Sequence, residues 1–93
     1  MKDLLISGSR FLTTDDVADA VLHYAQVLAQ YGRADVVRFP ALVDGVAANS
    51  WLTLGSGAAI AAVEVLDSPI ERLAGAHEAS AEIQRRSASL EGM

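Results

Sequence analysis

The stretch from Thr13 to Gly32 constrains this chain more than any other. At 100° per residue, Val17, Val21, Tyr24, Leu28 and Tyr31 fall on one stripe of a helix. Ala18, Leu22, Ala25 and Ala29 form a second stripe beside it, and Asp19, His23, Gln26 and Gln30 make the only polar face. The apolar arc is roughly 220° wide, about twice what a helix lying on one surface needs. Such a helix has to touch two things: a sheet beneath it, and another helix or a subunit at its side. Its ends are also legible. Thr13 is an N-cap candidate with Asp16 at the capping-box spacing, and Asp15 and Asp16 suit the positive end of the helix dipole. Gly32 stands where a left-handed residue commonly stops a helix.

The segments on either side read as strands. Asp3-Leu4-Leu5-Ile6-Ser7 is a short first strand, broken by Gly8-Ser9-Arg10. From Ala34 the period changes to two, with Val37, Phe39, Ala41 and Val43 alternating with Val36, Arg38, Pro40 and Leu42. Pro40 cannot donate a ladder hydrogen bond, so this strand is expected to bend there or lie at an edge. Asp44-Gly45 between apolar flanks predicts a type I′ hairpin turn. The next strand covers Val46 to Leu54, with a bulge marked by Asn49-Ser50. Gly55-Ser56-Gly57 reads as a further hairpin turn, and Ile60 to Leu66 as the last strand. Ser68-Pro69-Ile70-Glu71 then opens a second helix, with an N-cap, a proline at the first helical position and a capping-box glutamate. This helix is expected to run to about Leu90, on a stripe of Leu73, Ala76, Ser80, Ile83, Ser87 and Leu90 whose small residues allow close approach. Glu82 and Arg86 can pair along it, and Gly75 marks a kink.

The order β-α-β-β-β-α predicts a single domain over residues 1–93, a two-layer α+β sandwich. The expected sheet is four-stranded and mainly antiparallel, with two helices packed on one face. Were the first two strands parallel, the helix between them would cross over right-handed.

Composition narrows the function. Seven basic residues against twelve acidic ones leave a net charge of −5. Lys2 is the one lysine, and only Arg85-Arg86 are adjacent, so no basic surface for nucleic acid is expected. Cysteine is absent, which excludes disulfides, thiolate nucleophiles and cysteine metal sites. No leader pattern is visible, and the Gly57–Val63 stretch is too short to cross a bilayer, so a cytoplasmic protein without membrane contact is expected. His23 and His77 are far apart, and His23 with Asp19 reads as a surface pair. No Gly-x-Ser-x-Gly elbow occurs. No catalytic residue, metal or cofactor is predicted.

Two places remain as candidate sites. The first is Gly8, Ser9 and Arg10, because a strand, a glycine-containing loop and a helix start can cradle an anion. With Ser7, this stretch resembles the opening βα segment of SLOG-type Rossmann-like nucleotide-binding domains, over about residues 2–31. The resemblance implies a small enzyme or ligand sensor for an anionic small molecule. Arg38-Phe39-Pro40 stands where that family carries a glycine-rich motif, and Asp15 and Asp16 put negative charge at the helix start. The second candidate is the sheet face away from the helices, expected to hold Val36, Leu42, Trp51 and Ile60 with Arg38 among them. Tryptophan and arginine amid aliphatic residues are the types enriched at interfaces, and a monomer would leave the patch in water. Hydrophobic residues are 52% of the chain, more than one small core requires, although seventeen of them are alanine. The leading expectation is therefore a cytoplasmic homodimeric binding module without catalysis of its own, or one that binds another protein chain. The enzyme or sensor at Gly8-Ser9-Arg10 is the alternative.

Overall fold

A computed structural model describes residues 1–55, 57, 59–66 and 73–92. Its elements are β1 (Lys2–Ile6), β2 (Ser9–Thr13), α1 (Asp15–Gln30), β3 (Asp35–Val43), β4 (Val46–Leu54), β5 (Ile60–Glu64) and α2 (Ala76–Glu91). The strands form one sheet in the order β4-β3-β2-β1-β5, and every neighbouring pair is antiparallel. The α+β class with two helices agrees with the sequence reading; the expected four strands and their order do not.

The extra strand comes from the segment read as a break. Ser7 and Gly8 both have positive φ, 49° and 83°, the geometry of a two-residue I′ turn. Gly8-Ser9-Arg10 therefore does not lead into a helix. The chain reverses, and Ser9 to Thr13 pair with β1 in the register Ile6↔Ser9 to Lys2↔Thr13. No two neighbouring strands are parallel: β1 and β3, the first two strands read from the sequence, run the same way with β2 between them, and α1 joins β2 to its antiparallel neighbour β3. The strand–loop–helix unit behind the Rossmann-like resemblance is absent.

A second correction concerns β5, which pairs with β1 and not with β4. Gly55-Ser56-Gly57 is accordingly no hairpin turn, because the chain leaves one edge of the sheet there and returns at the other. Gly55 has φ 85°, and a Cβ on it would lie 2.1 Å from the Arg33 carbonyl oxygen. Only glycine lets the backbone pass that close to the end of α1. The strand stops at Glu64, two residues short of Leu66, and the Val65 N–H donates to the Met1 carbonyl at 2.9 Å.

The β3–β4 hairpin turns through Asp44 (φ 51°) and Gly45 (φ 80°), as predicted. Its register runs unbroken from Val43↔Val46 to Asp35↔Leu54, so Asn49-Ser50 is not a bulge. Pro40 lies in an interior strand, contrary to the edge expectation, and the reason is the shortness of β2. Only Leu12↔Leu42 joins β2 to β3. Pro40 sits where β2 ends and no ladder donor is required of it, and its carbonyl accepts from the buried Thr13 hydroxyl at 2.9 Å.

The N-cap of α1 is Thr14, one residue beyond the expected Thr13. The Val17 N–H reaches the Thr14 hydroxyl at 3.4 Å and the Asp16 carboxylate at 2.9 Å. Gly32 (φ 64°) ends the helix as predicted. Gly75 (φ 83°) is the N-cap of α2 rather than a kink inside it, and the Ser68-Pro69-Ile70-Glu71 signal lies outside the described residues.

The two helices lie side by side and run in the same sense. The Ser80 hydroxyl donates to the Asp16 carbonyl at 3.3 Å near both starts, and Glu91 meets His23 further along. Between helices and sheet, Leu4, Val17, Val21, Leu28, Val37, Phe39, Leu54 and Ile83 are almost fully buried. The Phe11 and Phe39 rings meet edge to face at 6.2 Å. Each of the larger side chains contributes about 1.5–3 kcal/mol by leaving water. Most of the apolar arc of α1 is thus covered within the chain, by the sheet on one side and α2 on the other, while Ala29 and Tyr31 at its end stay exposed.

Candidate functional site

Residues paired across antiparallel strands project to the same face. The inner face of the hairpin carries Val37 with Leu52 and Phe39 with Ser50, beneath the helices. The outer face carries Val36 with Thr53, Arg38 with Trp51, and Pro40 with Asn49. Trp51 is 62% exposed and Val36 49%, with an exposed Arg38 directly opposite Trp51. Leu42 shares this face by register, but it packs beside Leu12 and is only 7% exposed. Ile60 faces the other way: it pairs with Ile6 and packs half-buried against the core. Of the five residues expected on one surface, Val36, Arg38 and Trp51 come together in the open, while Leu42 and Ile60 stand apart.

A cleft of about 650 Å³ adjoins this cluster, with Val36, Arg38 and Trp51 on the sheet side and Glu78, Glu82 and Arg86 on the α2 side. It exists because β2 is too short to flank the first half of β3, so α2 lies there instead. Arg86 supplies one of the donors a strand would have given, from Nη1 to the Val36 carbonyl at 3.1 Å. The same guanidinium meets Asp35 Oδ2 at 3.1 Å and Glu82 Oε2 at 3.0 Å, the latter being the i,i+4 pair expected from sequence. The Tyr24 hydroxyl donates to Asp35 Oδ2 at 2.7 Å, which ties α1 into the network.

The network fixes protonation states. The Tyr24 hydroxyl, then the Val36 N–H and Arg86, hold the Asp35 carboxyl below its usual range against the opposing effect of burial. Burial first, and Asp35 second, push Tyr24 up to about 12. Arg85 and then Arg86 lower Glu82. These carboxylates stay ionised and paired at neutral pH, which makes them poor general bases. Among the described residues, Arg38 and Glu78 have no ion-pair partner.

Gly8, Ser9 and Arg10 lie at the β1–β2 turn, away from any helix N-terminus. Arg10 Nη2 stands 3.4 Å from Asp3 Oδ2, a carboxylate on the neighbouring strand. The expected Asp19–His23 pair does not form. Asp19 takes Lys2 Nζ at 2.6 Å, and His23 Nε2 takes Glu91 Oε1 at 2.9 Å. Among the described residues no three of His, Cys, Asp and Glu gather as metal ligands do, and no helix is long and apolar enough to cross a membrane. Sequence reading missed the Tyr24–Asp35–Arg86 network. The available signal was Tyr24 itself, because a phenol on a buried stripe needs a partner for its hydroxyl.

No family model, curated protein or solved structure matches this chain.

Proposed function

We propose that this chain is a homo-oligomeric binding module, a dimer in its simplest form, which acts through the outer face of the β3–β4 hairpin and has no catalysis of its own. The observation that carries the reading is Trp51, 62% exposed beside Val36 and opposite Arg38, on the hairpin face away from the core. A large aromatic side chain in water costs free energy that a partner surface recovers, and tryptophan and arginine are the residues most enriched where that recovery is concentrated. Glu82 in the adjoining cleft is held ionised by Arg85 and Arg86, which supports binding over acid–base chemistry there. The reading also sets the module in the cytoplasm, which cell fractionation checks. Light scattering coupled to size-exclusion chromatography tests the assembly. A mass above that of one 9.8 kDa chain supports the reading, and a monomer at every concentration overturns it.

A further inference from the structure

We infer that β4 pairs with β4 of a second copy of this chain, antiparallel and centred on Ser50, joining two five-stranded sheets into one. The inference rests on the homo-oligomeric reading above and gives it a geometry.

The hairpin turn settles which main-chain groups are free. In a two-residue turn the Val43 carbonyl and the Val46 N–H face each other, so Val43 and Val46 are a hydrogen-bonded pair. Hydrogen-bonded and non-hydrogen-bonded pairs then alternate along an antiparallel ladder. The groups of Val46, Ala48, Ser50, Leu52 and Leu54 therefore point towards β3. Those of Ala47, Asn49, Trp51 and Thr53 point out of the sheet. All four of these residues are exposed, β4 ends the strand order, and among the described residues no hydrogen bond from another element reaches this edge. Such a row of alternate donors and acceptors is a template for one kind of partner, another strand.

Three features favour a second copy as that strand. The first is register. Two identical antiparallel strands are related by a two-fold axis, so facing residue numbers share one sum. With Ser50 facing Ser50, Ala47 faces Thr53 and Asn49 faces Trp51, and every outward-pointing residue meets another. Centring on Asn49 strands Thr53, and centring on Trp51 strands Ala47. A shift by one residue sets free groups against groups already used by β3. The second feature is charge. The nine residues VAANSWLTL carry none, so two copies meet without repulsion despite the chain's net charge of −5. The other sheet edge differs, because β5 has five residues and ends in Glu64. The third feature is Trp51. In this register it lies diagonal to its counterpart, within reach of a large aromatic ring, so each ring covers part of the other.

Nine residues at about 3.4 Å each make an edge about 30 Å long. With Trp51, that buries on the order of 500–600 Å² per copy, a total at the low end of specific interfaces. Association is accordingly expected in the micromolar range.

The absence of native cysteine makes the register testable. A facing Ser50 pair would be non-hydrogen-bonded, with Cα atoms about 4.5 Å apart, within disulfide reach. Mild oxidation of Ser50→Cys should yield a covalent dimer, whereas Val63→Cys on β5 should yield little. Asn49→Pro removes an outward donor without breaking the β3 ladder. It should raise the dimer dissociation constant at least tenfold while circular dichroism stays unchanged. A dimer that Asn49→Pro leaves intact, and that is trapped at Val36→Cys instead of Ser50→Cys, overturns edge pairing and leaves the homo-oligomeric reading standing. A monomer at every concentration overturns both.

Discussion

Phe39 and Arg38 are neighbours in one strand, yet Phe39 is 1% exposed under the helices and Arg38 lies in water opposite Trp51. The two faces of the β3–β4 hairpin are built from the same backbone and the same alternation, but they have different partners. On the inner face Val37, Phe39 and Leu54 pack into the core beneath the helices and their energy goes into the fold, while Val46 at the hairpin tip stays exposed. On the outer face Trp51 and Val36 border the cleft beside α2 and keep about half or more of their surface in water. Stability and association should therefore be separable by substitution within a few residues of one another.

The largest expected effect is on the inner face. Phe39→Ala removes a ring packed edge to face on Phe11 and should cost about 3–5 kcal/mol of stability. Denaturant unfolding measures this loss. Gly55→Ala should come next, at about 2–4 kcal/mol, because the added Cβ collides with backbone at Arg33 and not with a yielding side chain. Tyr24→Phe takes the hydroxyl from Asp35 and should cost about 1–2 kcal/mol, which thermal unfolding reads. Trp51→Ala should change monomer stability by no more than about 0.5 kcal/mol, yet it should weaken self-association by tenfold or more. Equal losses of stability from Phe39→Ala and Trp51→Ala would erase the distinction between the faces.

The rim between the faces responds to pH. Asp35 titrates lower in the folded chain than in the unfolded one, chiefly because Tyr24 donates to it. Its contribution is therefore present above the unfolded value and lost as pH falls through the folded value. Tyr24 titrates at about 12 when folded, against 10 when free. The folded state holds that proton more tightly, so stability is present below pH 10 and falls between 10 and about 12. In Tyr24→Phe the alkaline loss should disappear and the acid loss should shrink, as a pH series of unfolding curves would report.

Much of this was legible in the residues themselves. The breadth of the apolar arc on α1 required two neighbours, and Asp44-Gly45 placed the one hairpin whose turn chemistry is unambiguous. The β1–β2 hairpin was hidden because Ser7, which takes positive φ ahead of Gly8, is an ordinary residue in a turn more often made by Asn or Asp. Its second strand is also only five residues long. The placement of β5 was hidden for a different reason. A glycine-rich link reads the same whether it turns a hairpin or carries the chain across a sheet, and the pairing of β5 with β1 is what distinguishes the two. That misplacement assigned Ile60 to the outer face. Trp51, Val36 and Arg38 were assigned correctly by alternation because the β3–β4 register has no bulge to reverse it.

One copy is proposed to meet another on the outer, β4 side of the hairpin. Light scattering on the native chain from low to tens of micromolar tests it most directly. The mass should rise with concentration towards twice 9.8 kDa, and Asn49→Pro should stay near one chain mass under the same conditions. A native chain that stays at 9.8 kDa throughout would contradict it.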